Sequence, residues 1–211
     1  MSWSKKPRSR RGYHHGNLRE ALIDAALSLI GEKGPGGFSF AEAARAAGVS
    51  PAAPYRHFRD KDALMADVAQ RGFESLTDRL EAAWNDGRPD PLRAFDAMGR
   101  AYLDFARDEP AYYVAMFESQ LAPADYPEMK RAGDAAFEVL RRAAETAVAT
   151  MPEARRPPAL MVALHVWSMA HGIASLFGRG DPGRRSLPMS PESLLEAATL
   201  IYFQGLRDGD D

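Results

Sequence analysis

The chain of 211 residues contains no cysteine. Disulfide staples, thiolate metal sites and a cysteine nucleophile are thereby excluded, and the composition suits a reducing cytoplasm. Strand-like alternation of apolar and polar residues is nearly absent, so a sheet has little to be built from. There is no HExxH, no paired histidine and carboxylate motif and no glycine-rich phosphate loop. Without converging nucleophile, base or metal ligands, no enzyme, no metal site and no other cofactor is expected. Residues 1–16 are basic and polar, lacking the apolar centre and cleavage site of a secretory signal, which points to a cytoplasmic protein. One stretch, 159–178, carries no Lys, Arg, Asp or Glu, yet His165, Ser168, His171 and Ser175 recur there every three or four residues. That polar stripe argues against a membrane span, and no membrane partner is expected.

What is present is alanine, helical periodicity and an uneven charge. Residues 1–61 hold 11 Lys or Arg against 5 Asp or Glu, whereas residues 62–211 hold 16 against 24. A basic first part joined to an acidic remainder suggests that only the first part touches a polyanion, because counterion release favours basic residues near phosphates. The densest stretch, Lys5, Lys6, Arg8, Arg10 and Arg11, has no acidic neighbour before Glu20. Taken alone, it reads equally as a solvated tail.

Periodicity and breakers predict an all-α chain of about nine helices. The first spans 17–32, with Leu18, Leu22, Ala25, Ala26, Leu29 and Ile30 on one stripe, and Asn17 and Glu20 at capping-box spacing. Gly34-Pro35-Gly36-Gly37 ends it, and Ser39 with Glu42 offers a second capping box for a short helix to about residue 46. In Ala47-Gly48-Val49-Ser50, Gly48 is free to take positive φ, Val49 is placed to plug an interhelical angle, and Ser50 is placed to cap a new helix opening at Pro51. Ala43, Ala44 and Ala47 are small enough for the two helices to approach closely, giving helix, tight turn, helix. The second of these, 52–58, would be the reading helix, with Tyr55, Arg56 and His57 able to reach phosphates or base edges and Phe58 turned inward. Pro54 lies inside it, removing one intrahelical hydrogen bond and crowding the Ser50 carbonyl.

The set Phe38, Ser39, Ala47-Gly48-Val49-Ser50, Tyr55-Arg56-His57-Phe58, Lys61 and Leu64 resembles the amino-terminal signature of TetR-type transcriptional regulators over about residues 13–68. Trp167, His171 and Gly172, with His14-His15-Gly16 and Ala52-Ala53-Pro54-Tyr55, are similar to the subgroup with a carboxy-terminal Trp-His-Gly (WHG) domain. The resemblance implies a basic flexible arm over 1–12, a three-helix DNA-binding domain over 13–60, a connecting helix over 61–86 and a helical-bundle effector-binding and dimerisation domain over 87–211. It implies a cytoplasmic, nucleoid-associated homodimer on a palindromic operator in double-stranded DNA, acting as a repressor that a small apolar or aromatic effector releases. Ser39 and Arg45, then Ser50, Pro51, Ala52, Tyr55 and His57, fall at the family's DNA-facing positions, and Lys61 would reach a phosphate. Ala43 departs from the family, which usually has a bulkier aliphatic residue there. Ala52, Ala53 and Pro54 have no polar side-chain groups, so Arg45 and an arm residue, Arg10 or Arg11, in the minor groove are expected to carry much of the specificity.

Asp60 is placed to cap a connecting helix over 61–85, roughly 35 Å long at 1.5 Å per residue. Helical segments follow near 92–107, 110–121, 125–150 and 158–177, divided by Pro110, Pro123, Pro127 and Pro157-Pro158. Tyr102, Phe105, Tyr113, Met116, Phe117, Phe137 and Leu140 could line an effector pocket, with Trp167 and His171; they would serve equally as plain core. His171, one turn from Trp167, reads first as a hydrogen-bonding core residue, and its separation from His165 suits no shared metal. The last helix begins at Ser190-Pro191 and reaches about residue 206, with Leu194, Leu195, Ala198, Ile201 and Tyr202 on its apolar side. With Leu164 of the preceding helix this side could form the four-helix dimer interface the resemblance implies, or it could close the monomer's own core. A nonspecific architectural DNA protein is the rival reading, separated by its small ratio of specific to nonspecific affinity. A protein-interaction module would show no salt-dependent DNA binding.

Overall fold

Proline and short acidic caps set most of the helix starts in the computed structural model, which describes residues 18–177 and 188–208. The described residues form eight α-helices and no strand: α1 Leu18–Lys33, α2 Phe40–Ala46, α3 Lys61–Trp84, α4 Pro91–Asp108, α5 Pro110–Glu118, α6 Pro127–Ala149, α7 Ala159–Phe177 and α8 Pro191–Asp208. Asp60 accepts a hydrogen bond from the Ala63 N–H at 2.8 Å, and Asp90 accepts one from Arg93 at 3.0 Å, each satisfying a free donor of the first turn. Pro91, Pro110, Pro127 and Pro191 stand at the first positions of their helices, where the missing N–H costs nothing.

The expected ninth helix is not there. Residues 52–58 fold instead as a single 3-10 turn, Ala53–Arg56. The cause is Pro54: it has no N–H to give the Ser50 carbonyl, which accepts from Ala53 at 3.0 Å instead. The Ser50 side chain does not cap this turn; its N-cap is Ala52, with no side-chain bond. The chain closes tightly as the Pro54 carbonyl accepts from both His57 and Phe58, at 2.9 and 3.0 Å.

The longest helix, α3, packs on α4, α5 and α6 and, near its start, on α1. One continuous apolar core follows it, from Leu22, Ile23 and Phe58 at the amino-terminal end to Phe95, Val139 and Val162 in the bundle. The helices α7 and α8 pair on the outside, with α7 also against α4 and α6. By length and composition α7 could cross a membrane, and a core helix of this kind passes the same test; here it lies against three other helices, with His171 hydrogen-bonded toward them. Gly72 lets α5 come close to α3, since a Cβ at that position would stand 2.6 Å from the Met116 sulfur.

A charge cluster fixes α1 to α3. Asp67, 8% exposed, is the one buried charged side chain among the described residues. Arg19 of α1 grips it with two hydrogen bonds, at 2.5 and 3.2 Å. Arg71, one turn further along α3, lies 3.6 Å from Asp67 and pairs in bidentate fashion with Glu20 at 2.5 Å. The Arg19 guanidinium also covers the Phe58 ring at 5.7 Å, drawing in the segment after the 3-10 turn. Asp67→Ala leaves both arginines without their shared carboxylate and is expected to cost about 1–3 kcal/mol in urea unfolding, the lower range because Arg19 is half exposed to water. An unchanged midpoint would show that the cluster contributes nothing to the fold.

Candidate functional site

The amino-terminal head is built on a completed capping box. Ser39 Oγ accepts from the Glu42 N–H at 3.2 Å, and the Glu42 carboxylate accepts from the Ser39 N–H at 2.8 Å and its hydroxyl at 2.9 Å. Lys33 pairs with the same carboxylate at 2.8 Å. Together Lys33 first, then Ser39, pull the Glu42 carboxyl down to about 2. The Ser39 hydroxyl is thus already engaged in the cap, whereas Arg45, in the last turn of α2, is exposed. Gly48 takes φ of +73°, the left-handed conformation a side chain resists, and the chain turns there, with Val49 N–H bonded to Ala44 at 2.9 Å.

Beyond the turn, Ser50, Pro51, Ala52, Tyr55, Arg56 and His57 are all exposed. Pro54 and Phe58 of the same segment are buried and anchor it. Tyr55 is 63% exposed, its ring standing edge-on against Phe40 at 5.0 Å, so an aromatic side chain projects from a rigid base. Lys61 is half-buried with its ammonium 4.7 Å above the Phe38 ring, a contact that fixes where its charge sits. Arg10, Arg11 and the Asn17 cap lie outside the described residues. Arg59 gave no signal in the sequence: it donates to the Tyr126 hydroxyl at 3.3 Å and covers that ring at 5.6 Å, joining the head to the start of α6. It also pairs with the neighbouring Asp60 at 3.0 Å, but Tyr126 is 67 residues away, beyond any local pattern.

A cavity of about 510 Å³ lies among α3, α4, α5, α6 and α7. Of the residues expected there, Tyr102, Met116, Phe117, Phe137, Leu140 and Trp167 line it. Phe105, Tyr113 and His171 do not, which corrects the expectation. Phe105 is fully buried elsewhere on α4, under the Arg79 guanidinium at 5.7 Å. Tyr113 borders a separate void of only about 30 Å³. His171 stands behind the wall and holds it: its Nδ1 meets the Tyr102 hydroxyl at 2.8 Å and the Tyr113 hydroxyl at 3.0 Å, and Tyr113 also meets Ser175 at 3.3 Å. Burial lowers the His171 imidazole and raises both phenols, so all three groups are neutral at ordinary pH. Phe73, Leu76, Phe95 and Met98 also line the cavity, and sequence reasoning missed them because they read as ordinary core positions of α3 and α4. The edge of the cavity carries Ser119, Gln120 and Pro123 after α5, with Lys130 and Asp134 of α6 paired at 2.5 Å.

The outer side of α7 and α8 is unusually apolar for a surface. Leu160, Leu164 and Leu176 of α7 and Leu200 and Ile201 of α8 are exposed, Ile201 to 68%. Among the residues expected at a dimer interface, Leu164 and Ile201 are exposed, Leu164 also lining the cavity, whereas Leu194, Ala198 and Tyr202 are half-buried, and Tyr202 bonds His165 Nδ1 at 3.1 Å. Leu195 is corrected: at 3% exposure it packs over Gly99 of α4 and belongs to the monomer's own core.

Comparison with known proteins gives a consistent result. Residues 22–68 match the family described as bacterial regulatory proteins, tetR family, and residues 95–200 match the tetracyclin repressor-like C-terminal domain. An uncharacterized HTH-type transcriptional regulator, YobS of Bacillus subtilis, is 30% identical over 100 residues, 47% of this chain and 51% of that protein. The match therefore spans about half the length of that curated relative. A protein of unknown function from Rhodococcus sp. RHA1 is 32% identical, with a TM-score of 0.76 over 93% of this chain and 98% of that one. AibR, solved in complex with isovaleryl coenzyme A and operator DNA, is 16% identical with a TM-score of 0.66, covering 87% of this chain and 97% of its own, a likeness of fold alone.

The depressed Glu42 carboxyl has a consequence for the head. A group whose folded value lies below its ordinary 4.5 adds stability that is present above 4.5 and lost as pH falls toward about 2. Proton titration followed by NMR should place its midpoint near 2, and Glu42→Gln should flatten the stability of the protein across that window; an ordinary midpoint would mean the box is open in solution.

Proposed function

The chain belongs to the tetR family of bacterial regulatory proteins, and from that premise we propose that it is a ligand-responsive transcriptional regulator, a homodimer that holds a palindromic operator and releases it when a small apolar or aromatic effector fills the cavity. The observation that carries this reading is the coupling of two features by one helix. α3 begins at Lys61 beside the exposed Tyr55, Arg56 and His57, and its later turns supply Phe73, Leu76 and Leu80 to the cavity wall. The Asp67 cluster ties α1 to that helix, so displacement of α3 by an occupant would carry the head with it.

In this reading, residues 1–12 are an arm, 13–60 the reading domain, 61–86 the connecting helix and 87–211 the effector and dimerisation domain. Arg45 and Tyr55, with Arg56, His57 and Lys61, contact DNA, and Ser50, Pro51 and Ala52 offer apolar or backbone contact. Arg10 or Arg11 reads the minor groove. The exposed leucines of α7 and Ile201 of α8 bury one another across a two-fold axis, setting two heads about 34–36 Å apart to match successive major grooves. The protein works in the cytoplasm, on the nucleoid, as a repressor, and no catalytic role is assigned. That AibR holds both a ligand and operator DNA in the same fold supports pairing the two functions in one chain.

Selection of genomic fragments by the purified protein across a salt series tests the reading. Enrichment of a palindromic sequence is expected; uniform retention with steep salt dependence would replace the regulator by a nonspecific DNA protein, and no retention at low salt would remove DNA from its function. On the selected site, Arg45→Ala should weaken binding by about 5- to 150-fold, a loss of about 1–3 kcal/mol, with little change on random DNA. Ile201→Glu should give a monomer in sedimentation and lose the operator; a dimer that persists would move the interface elsewhere.

A further inference from the structure

The charge balance of the cavity limits what can occupy it. This step rests on the effector reading above. We propose that the effector is uncharged: an aromatic or alicyclic skeleton bearing at most a hydroxyl or carbonyl group, and neither a free carboxylate, an organic cation nor a coenzyme A thioester.

Among the described residues, six aromatic side chains, Phe73, Phe95, Tyr102, Phe117, Phe137 and Trp167, line the space. Several already stand edge to face, Phe73 on Phe117 at 5.6 Å and Phe137 on Trp167 at 6.0 Å, an arrangement a flat hydrocarbon extends. Met98, Met116 and Met129 add adaptable surface. Among the described residues, the only charged ones in the wall are Lys130 and Asp134, both exposed and paired with each other at 2.5 Å. An ionised ligand group carried inside would therefore lose its water and gain no counter-charge. Polar partners are also lacking within: the Tyr102 hydroxyl is bonded to His171, and no buried side-chain nitrogen or oxygen among the described residues wants a partner. Among the described residues, the side-chain polar atoms left for a ligand are at the edge, on Ser119 and Gln120.

A coenzyme A thioester could place only its acyl part inside, leaving its phosphates at that edge. Among the described residues, the basic side chains nearest the start of α6 already have acidic partners, Lys130 with Asp134, Arg131 with Glu128 and Arg59 with Asp60. A volume of about 510 Å³ suits a ligand of two or three fused rings.

Calorimetric titration of the full chain at neutral pH with naphthylmethanol, naphthoate and naphthylmethylammonium isolates charge on one skeleton. The alcohol is expected to bind at least about tenfold more tightly than either ion, a difference of about 1.4 kcal/mol, and isovaleryl coenzyme A more weakly still. Equal or tighter binding of an ion or the thioester overturns the proposal, as does the absence of saturable binding by the alcohol at millimolar concentration. Leu140→Trp, which fills part of the space, should weaken the alcohol by about tenfold with the thermal transition intact; unaltered binding would put the alcohol elsewhere and overturn it too. Failure here differs from failure of the regulator reading: the first is read as ligand preference on a protein that still retains its operator, the second as loss of operator retention whatever the ligand.

Discussion

Asp67 takes a carboxylate out of water in the middle of an apolar helix face, and the arrangement holds only because Arg19 comes from another helix to meet it. A buried carboxylate left alone would be strongly unfavourable, so α1 is drawn to one position and one rotation on α3. Arg71 and Glu20 extend the same constraint by a helical turn. Hydrophobic contact is tolerant of sliding; a bidentate ion pair is not. The orientation of the small amino-terminal core relative to the bundle is set by that pair, and with it the place where Tyr55 and Arg45 stand.

The segment after the turn at Gly48 shows a different constraint. Pro54 shortens what would have been a helix to a single 3-10 turn, yet its ring is fully buried and its carbonyl closes the turn toward His57 and Phe58. A proline that forbids one hydrogen bond also removes freedom from the unfolded chain, and here Phe58, Phe40 and the Arg19 guanidinium pack around the result. Ala43, smaller than the residue usual at its position, is completely buried, which fits the close approach that a compact turn permits.

In the bundle, polar groups are kept close to the cavity without opening onto it. His171 receives the tyrosines of two helices, α4 and α5, and by doing so ties both to α7. The Tyr102 ring can then present carbon to the cavity while its hydroxyl is satisfied behind it. Arg59 and Tyr126 make a second link between head and bundle, next to the residues that edge the cavity, so that the head is held at α3 and at the start of α6.

Local signals settled a great deal. Helix boundaries follow from Ser39, Asp60 and the prolines because caps act within one turn, and the turn at Gly48 follows from a backbone conformation that only its neighbours need. The division into a basic head and an acidic body is a matter of counting. Depth could not be read in the same way. Leu194, Leu195, Ala198 and Ile201 share one helical stripe, yet Leu195 closes the monomer and Ile201 is exposed, because Gly99 leaves room for the first and none of the described residues covers the second. Phe105 and Tyr102 lie one turn apart on α4, and only packing by α3 and α7 decided that one meets Arg79 and the other the cavity. Arg19, Tyr126 and Tyr102, which meet Asp67, Arg59 and His171, lie 48, 67 and 69 residues from them in sequence, so periodicity, which measures neighbours three and four apart, left those contacts to the tertiary fold.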